Sequence, residues 1–319
     1  MKKLTRAEAA DYLLAHDNYT ILSHRRPDGD TLGSTAALCL GLRQLGKTAH
    51  VLRNPEITER FAWLHEGLTK EEAGENDTIV TVDVASPGML PAAFEPLLGR
   101  ISLRLDHHSS ATSFTDAELV DGGSASCAEL VWDVLTLAGV TADRKIAEAV
   151  YVGLSTDTGC FRYANTTAHT FSVAAQCAQA EARIYMLNQE LFETNTLARL
   201  KMQAWIVDHM KLLQNGKMAI VAIPRALEEE IGVTQDDMDN ISSFPRTVAG
   251  VCMAATLRQT KEGDTKLSVR AIPGYDATLI TTQFGGGGHK GAAGASMKLP
   301  LEEAAVAVEQ AMLALQETV

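Results

Sequence analysis

The segment Ser23–Asp30 constrains the fold of this chain more than any other stretch. It reads Ser-His-Arg-Arg-Pro-Asp-Gly-Asp and follows a β-prone run, Tyr19–Leu22, just before a helix-like run. His24, Asp28 and Asp30 therefore lie on one turn at the carboxyl end of a predicted strand. Such groups repel one another and resist desolvation unless a cation lies among them, and a divalent metal is the simplest candidate.

Two further β-prone runs end in the same kind of residue. Asp77–Val82 is followed by Asp83, and Ile101–Leu105 by Asp106, His107 and His108. Strands that alternate with helical stretches predict an open, mostly parallel α/β sheet flanked by helices, whose ligands bind at the carboxyl ends of the strands. A fourth polar group, Asp157, is predicted in a Thr-Asp-Thr-Gly loop after an apolar helix.

Each of these groups has a simpler explanation when it is taken alone, because an Asp after a strand is commonly a turn residue or a helix cap. Their recurrence at one edge of a sheet favours a metal site. Imidazole and carboxylate ligands suit Mn²⁺, with Zn²⁺, Co²⁺ or Fe²⁺ as alternatives and an all-oxygen Mg²⁺ site less natural. The five carboxylates and three histidines suffice for two metals that share one bridging aspartate.

The sequence pattern changes beyond Asn215-Gly216, where β-prone runs and helical runs predict a smaller α+β domain. We therefore divide the chain into a catalytic domain, 1–190, a connecting helix or linker, 191–214, and a C-terminal domain, 215–319. The length of 319 residues agrees with two domains.

Charge and composition limit the partners and the compartment. The net charge is −12, which disfavours a grip on long nucleic acid through many phosphates and leaves short anionic substrates open. No apolar run reaches the roughly 18 residues that a membrane span needs. The N-terminus has no apolar signal-peptide core, and the five cysteines are odd in number and lack paired metal spacing. These features predict a cytoplasmic protein without membrane contact.

The C-terminal domain contains a glycine run, Gly285–Gly288, followed by His289 and Lys290. A bare linker would explain the glycines. Consecutive glycines also bring backbone N–H groups close to an anion, which makes a phosphate-binding nest. The imidazole and the small residues that follow favour the phosphate-binding interpretation, because a linker needs neither.

These motifs, in this order, resemble the DHH phosphoesterase superfamily, and the glycine run resembles the signature of its DHH-associated domain. The motifs span residues 24 to 294, nearly the whole chain. Length and layout are most similar to the bifunctional oligoribonuclease/pAp-phosphatase (nanoRNase) group. The resemblance implies that His24, Asp28 and Asp83 bind one metal and that Asp83 bridges to the other. The second metal's ligands would be Asp30, Asp83, His107 and Asp157.

The resemblance also implies roles for the remaining candidates. Asp106 would orient the histidine pair, and His108 would either support a metal ligand or contact phosphate, so both are candidate catalytic residues. Across an interdomain cleft, the glycine loop and Arg270 would bind substrate. The candidate substrate-binding residues are Gly286, Gly287, Gly288, His289 and Arg270. In the family, the residue directly after this arginine is commonly a serine, whereas this chain has Ala271 at that position.

The function that follows is a phosphodiesterase with two divalent cations, Mn²⁺ first among them. It would cleave short oligoribonucleotides to 5′-mononucleotides and remove the 3′-phosphate of pAp. The alternatives are a phosphodiesterase for cyclic dinucleotides or their linear products, a RecJ-like single-strand exonuclease, and a nucleotide sensor without turnover. A pyrophosphatase is disfavoured because its second domain lacks the Gly-Gly-Gly-His signature. A homodimer is an expectation from the family.

Overall fold

The chain folds into two units, each with its own sheet. The structure is a computed structural model and describes residues 2–109 and 112–315. The first unit spans Met1–Thr194 and the second Asn195–Val319. The domain boundaries proposed from the sequence, near residues 190 and 215, stay predictions. Within the described residues, no helix is both long and apolar enough to cross a bilayer.

A seven-stranded, all-parallel sheet forms the centre of the first unit. In chain order its strands are β1 (Lys2–Lys3), β2 (Tyr19–Leu22), β3 (Ala49–Leu52), β4 (Thr69–Lys70), β5 (Thr78–Val82), β6 (Ile101–Asp106) and β7 (Ala117–Val120). Their spatial order is β1-β7-β6-β5-β2-β3-β4. The predicted parallel α/β sheet is confirmed, whereas β1, β4 and β7 were not predicted; the first two are only two residues long.

Apolar residues cover both faces of this sheet, as parallel sheets require. The helices are α1 (Arg6–Ala15), α2 (Gly29–Gln44), α3 (Cys127–Leu137), α4 (Arg144–Asp157), α5 (Ala168–Gln179) and α6 (Ile184–Asn188). A large core unites Ile21, Val80 and Leu103 with α1 to α5. A smaller core on the other face holds Leu22 and Ile79 against irregular and 3₁₀-helical turns. Both faces of β2 are thus packed against apolar residues.

Glycine allows α2 and α4 to pack backbone against backbone. A Cβ added to Gly33 of α2 would lie 2.3 Å from the carbonyl oxygen of Ala149 in α4. A Cβ on Gly153 of α4 would lie 2.8 Å from Oδ1 of Asp30 in α2. The predicted loop position of Asp157 is wrong, because α4 continues through it and Asp157 is its last residue. The two helices in close backbone contact therefore each carry an aspartate near one end, Asp30 in the first turn of α2 and Asp157 at the end of α4.

The second unit contains a six-stranded mixed sheet. Its elements are α7 (Leu197–His209), β8 (Lys211–Leu213), β9 (Met218–Ile223), α8 (Arg225–Ile231), β10 (Met253–Gln259), β11 (Thr265–Ala271), α9 (Thr278–Thr281), β12 (Gly287–His289), β13 (Ala292–Met297) and α10 (Leu301–Ala314). The spatial order is β12-β13-β11-β10-β9-β8, and only β9 and β10 pair in parallel. Helix α10 packs on one face and α7 on the other. The predicted α+β fold is confirmed.

The glycine run is not the open loop that its composition predicts. Gly287–His289 is an exposed edge strand that pairs antiparallel with β13. A Cβ at Gly286 would lie 2.2 Å from the carbonyl oxygen of Gly294, so the glycine is needed for two backbones to approach closely. Close strand pairing is therefore one reason why this run contains glycines, besides the phosphate binding that the sequence suggests.

Candidate metal centre

The candidate site lies at the carboxyl edge of the first sheet, where the strand order reverses. The chain runs from β2 outward to β3 and β4, then returns to β5 on the other side of β2. A crevice at such a reversal is the usual ligand site of an open α/β sheet. The polar residues that follow β2, β5 and β6 all meet there.

His24 and Asp28 occupy the turn between β2 and α2. Nδ1 of His24 lies 2.7 Å from the carbonyl oxygen of Arg25, so its Nε2 faces the carboxylates. Nε2 is 3.9 Å from Oδ1 of Asp28 and 3.6 Å from Oδ2 of Asp83. Asp28 also caps α2, because its Oδ1 accepts a hydrogen bond from the backbone N–H of Thr31. The cap fixes where the first turn of α2 begins.

Asp30 lies in the first turn of α2 and is 2% exposed. Its carboxylate meets the N-terminus of α3, where Oδ2 accepts from the N–H of Cys127 at 2.7 Å and Oδ1 from the N–H of Ala128 at 2.9 Å. Burial and the nearby charges of Asp83 and Asp157 raise the pKa of Asp30 well above its ordinary value. The two backbone donors oppose that rise by stabilising the charged form.

Asp83 lies at the centre of the site. It follows β5 in the left-handed region, with φ of +61°, and is 2% exposed. The hydroxyl of Thr31 donates to its Oδ2 at 2.6 Å. Oδ1 is 3.6 Å from Nε2 of His107 and 3.5 Å from Nδ1 of His108, and it has no hydrogen-bond partner among the described residues. Burial alone would raise the pKa of Asp83, but these histidines and His24 lower it overall.

The two histidines after β6 are held differently. His107 points its Nδ1 at the carbonyl oxygen of Ser124, at 3.3 Å, and its Nε2 into the site. Nε2 lies 3.7 Å from Oδ2 of Asp30 and 3.8 Å from Oδ2 of Asp157. His108 instead places its Nδ1 2.7 Å from Oδ1 of the fully buried Asp106. The geometry thus separates one histidine that faces several carboxylates from one that is oriented by Asp106.

Asp157 completes the site from the end of α4. Burial and the charges around it, with His107 opposing, raise the pKa of Asp157 to about 6. The side-chain N–H of Asn165 donates to the backbone carbonyl of Asp157 at 3.2 Å and to that of Ala125 at 2.8 Å. Asn165 and Thr31 were not predicted. Thr31 adjoins the opening motif, but its bond to Asp83 depends on strand order that the sequence does not display.

The arrangement fits divalent cations. The ligand atoms form three groups within 4.8 Å: His24 with Asp28 and Asp83, Asp30 with His107 and Asp157, and Asp83 with His107 and His108. Most distances between the imidazole nitrogens and the carboxylate oxygens of these groups are 3.5 to 3.9 Å, which is too long for good hydrogen bonds. Two ligands that are each about 2.1 Å from one cation lie about 3 to 3.5 Å apart. A small inward movement would therefore make these groups into coordination shells, and the unpartnered Oδ1 of Asp83 would gain a partner.

Metal binding is expected to displace protons from two histidines. Burial lowers the pKa of His24 and of His107, but the surrounding aspartates raise each to about 9. Both imidazoles are then mostly protonated near neutral pH, and a protonated imidazole cannot bind a metal. We expect a divalent cation such as Mn²⁺ to bind chelator-treated protein with release of protons, about two of them from these histidines, and its affinity to rise between about pH 7 and pH 9. Calorimetry in buffers of different ionisation enthalpy measures both, and a dissociation constant that is flat across this range would contradict the prediction.

Comparison with known proteins gives matches along most of the chain. The DHH family N-terminal domain matches residues 18–154, and the DHHA1 domain matches residues 215–316. The bifunctional oligoribonuclease and PAP phosphatase NrnA of Thermus thermophilus is 33% identical over 288 residues, 89% of this chain and 86% of that protein. The Bacillus subtilis protein of the same name is 27% identical over 286 residues, 87% and 89% of the two chains.

A solved structure agrees with the fold. The crystal structure of an exopolyphosphatase-related protein from Bacteroides fragilis superposes with a TM-score of 0.87 and covers 96% of this chain and 95% of its own. Its sequence identity is 20%, so this likeness concerns the fold alone.

Proposed function

The chain belongs to the DHH family of phosphoesterases, and from this premise we propose that it hydrolyses short oligoribonucleotides to 5′-mononucleotides and dephosphorylates pAp to AMP. The observation that carries the proposal is the position of Asp83. Its carboxylate belongs to two of the three ligand groups, one with His24 and Asp28 and one with the two histidines after β6. A shared carboxylate is what a two-metal phosphoesterase needs.

We propose the following division of roles. His24, Asp28 and Asp83 hold one cation, and Asp30, Asp83, His107 and Asp157 hold the other, with Mn²⁺ as the preferred metal. Two cations held by these residues would supply Lewis-acid activation of a water and would offset charge on the phosphoryl oxygens. In the hydrolysis, the hydroxyl of the water is added to phosphorus, the P–O bond to the 3′-oxygen breaks, and the remaining proton of the water leaves that oxygen as a hydroxyl.

His108 is the proposed phosphate contact among the histidines. The hydrogen bond to Asp106 is the main cause that raises the pKa of His108. Asp106 therefore both orients the ring and favours its protonated form, which can donate to a phosphoryl oxygen. This assigns Asp106 and His108 to handling substrate charge.

The second unit supplies the proposed substrate contacts. Ala292 of β13 pairs with His289 of β12 on one side and with Arg270 of β11 on the other. Directly opposed residues point to the same face of a sheet, so His289 and Arg270 lie in one row, with their backbones about 10 Å apart. The small, exposed Ala292 between them leaves room for an anion. With Gly286, Gly287 and Gly288 alongside, this row is our candidate site for a terminal phosphate.

Substrate length tests the proposal most directly. We expect pApA and pAp to be turned over fastest with Mn²⁺, and an RNA strand of about two dozen nucleotides to react at least about tenfold more slowly, because this acidic chain offers few phosphate contacts to a long strand. Initial rates for pApA, an RNA pentamer, the long strand, pAp and cyclic di-AMP measure this. Equal rates for the long strand and pApA would contradict the short-substrate assignment, and a preference for cyclic di-AMP would favour the alternative substrate class.

Cytoplasmic location and a homodimer stay predictions.

A further inference from the structure

Arg104 is a buried cation that the proposed metal centre does not use. It lies within β6 and is 1% exposed, and it is among the largest fully buried side chains of the described chain. A buried guanidinium is costly unless its charge and its donors are satisfied. The groups that surround Arg104 therefore indicate what this position does.

Three other segments meet at the guanidinium of Arg104. Nη2 donates to Oε2 of Glu118 at 2.5 Å across the β6–β7 pairing, where these two residues are directly opposed. Nη1 donates to the carbonyl oxygens of Thr112 at 2.8 Å and Ala85 at 3.2 Å, and the Phe114 ring centroid lies 5.0 Å from Cζ. Thr112 and Phe114 belong to the connection that begins with His107 and His108, and Ala85 closely follows Asp83. One side chain thus joins the segments that carry three residues of the site.

Arg104 also faces the carboxylate that orients His108. Successive side chains of a strand alternate between faces, so Arg104 and Asp106 point to the same face of the sheet. Nη1 lies 4.0 Å from Oδ2 of Asp106, and within the described residues this buried oxygen accepts no hydrogen bond. The other oxygen, Oδ1, is the one that binds Nδ1 of His108. Arg104 therefore places a positive charge near a buried carboxylate oxygen that has no hydrogen-bond partner, in addition to its closer pairing with Glu118.

We infer that Arg104, held by Glu118, is a positioning residue that fixes Asp106 and the segment of His107 and His108 for catalysis. The inference rests on the proposed function, since it assumes that these histidines act in phosphoester hydrolysis. The competing explanation is that the ion pair only stabilises the fold. Buried ion pairs are weak contributors to stability compared with apolar side chains of similar volume. The two explanations can therefore be separated by a variant that removes both charges and is assayed where it is fully folded.

The test is the double variant Arg104→Met/Glu118→Leu, which replaces both charges by apolar side chains. The carbonyl oxygens of Thr112 and Ala85 lose their donor in this variant, so we expect its thermal unfolding midpoint to fall. At an assay temperature where circular dichroism shows the variant fully folded, we expect kcat for pApA to fall about 10- to 100-fold at nearly constant KM. We also expect a weaker Mn²⁺-induced rise of the unfolding midpoint, because the connection that begins with His107 loses its hydrogen bond from Arg104 to Thr112. The matched control is Arg183→Met/Glu148→Leu, which removes a bidentate pair of 2.6 and 2.8 Å between α4 and the start of α6. The control should keep both kcat and the Mn²⁺ response.

Each result decides for or against the inference. A folded double variant with wild-type kcat and Mn²⁺ response overturns it, as does a rise in KM alone. Should the double variant fail to fold, Arg104→Lys provides the test, since it keeps the positive charge but cannot donate to Glu118, Thr112 and Ala85 with a planar fork. A fall in kcat for Arg104→Lys supports the inference, and unchanged kcat refutes it. A wild type that does not hydrolyse pApA would refute the proposed function instead, and the Mn²⁺ response would still test the positioning role.

Discussion

Replacing Asp83 by asparagine is expected to abolish hydrolysis, lowering kcat about 10³-fold or more, since the metals supply several kcal/mol to the transition state. Asparagine suits the left-handed backbone at this position, where φ is +61°, and its side-chain oxygen can still accept the hydrogen bond from the hydroxyl of Thr31. The substitution therefore removes the negative charge and little else. Because the Asp83 carboxylate belongs to two ligand groups, its loss weakens both proposed metal sites at once.

Thermal unfolding with and without Mn²⁺ measures this loss independently of turnover. A ligand that binds only the folded state raises the unfolding midpoint, so the wild type should be stabilised by Mn²⁺ and Asp83→Asn should not. Asp77→Asn is the matched control, because Asp77 immediately precedes the same strand at its opposite end and bonds to Lys70 and Thr20. This control is expected to lose stability but keep its Mn²⁺ response. Wild-type turnover by Asp83→Asn would refute the bridging role.

Replacing Gly33 by alanine is expected to destabilise the first unit by about 2 kcal/mol. An added methyl in a well-packed core costs about 1 to 3 kcal/mol or more, and here it would meet the carbonyl oxygen of Ala149 at 2.3 Å, a backbone atom that cannot rotate away. The gain of about 1 kcal/mol in helix propensity offsets only part of that cost. Forcing α2 from α4 also separates Asp30 from Asp157, so kcat should fall as well.

Gly41→Ala is the matched control for this substitution, because it lies on the same helix. Its added Cβ would meet the end of the Leu135 side chain at 2.6 Å, and a side chain can change rotamer. The propensity gain then offsets more of the cost, so Gly41→Ala should be clearly less destabilising. Urea unfolding followed by circular dichroism compares the two variants. Equal losses of stability would show that the backbone contact between α2 and α4 is not what limits the packing.

Local sequence determined the central strands of the first sheet. The β-prone runs that end at Leu22, Val82 and Leu105 are strands because their apolar residues suit a sheet that is buried on both faces. The capping box of Thr5 and Glu8 at the start of α1 is likewise a local feature, since it needs only residues within one helical turn. The strands β1 and β4 were missed because two-residue edge strands carry no periodicity and exist only through their neighbours.

The sequence by itself determined which residue types gather at the edge of the sheet, because an aspartate or histidine directly after a buried strand must emerge at that strand's carboxyl end. Only the tertiary structure decided how these groups meet. Strand order placed Asp83 between His24 and His107, the α3 N-terminus gave Asp30 its two backbone donors, and strand pairing placed His289 and Arg270 in one row. The role of Arg104 could not be predicted from the sequence for the same reason. Its neighbours in β6 indicate only a strand residue, and its partners come from other segments of the chain. Contacts between residues far apart in the chain depend on packing geometry, which no local pattern encodes.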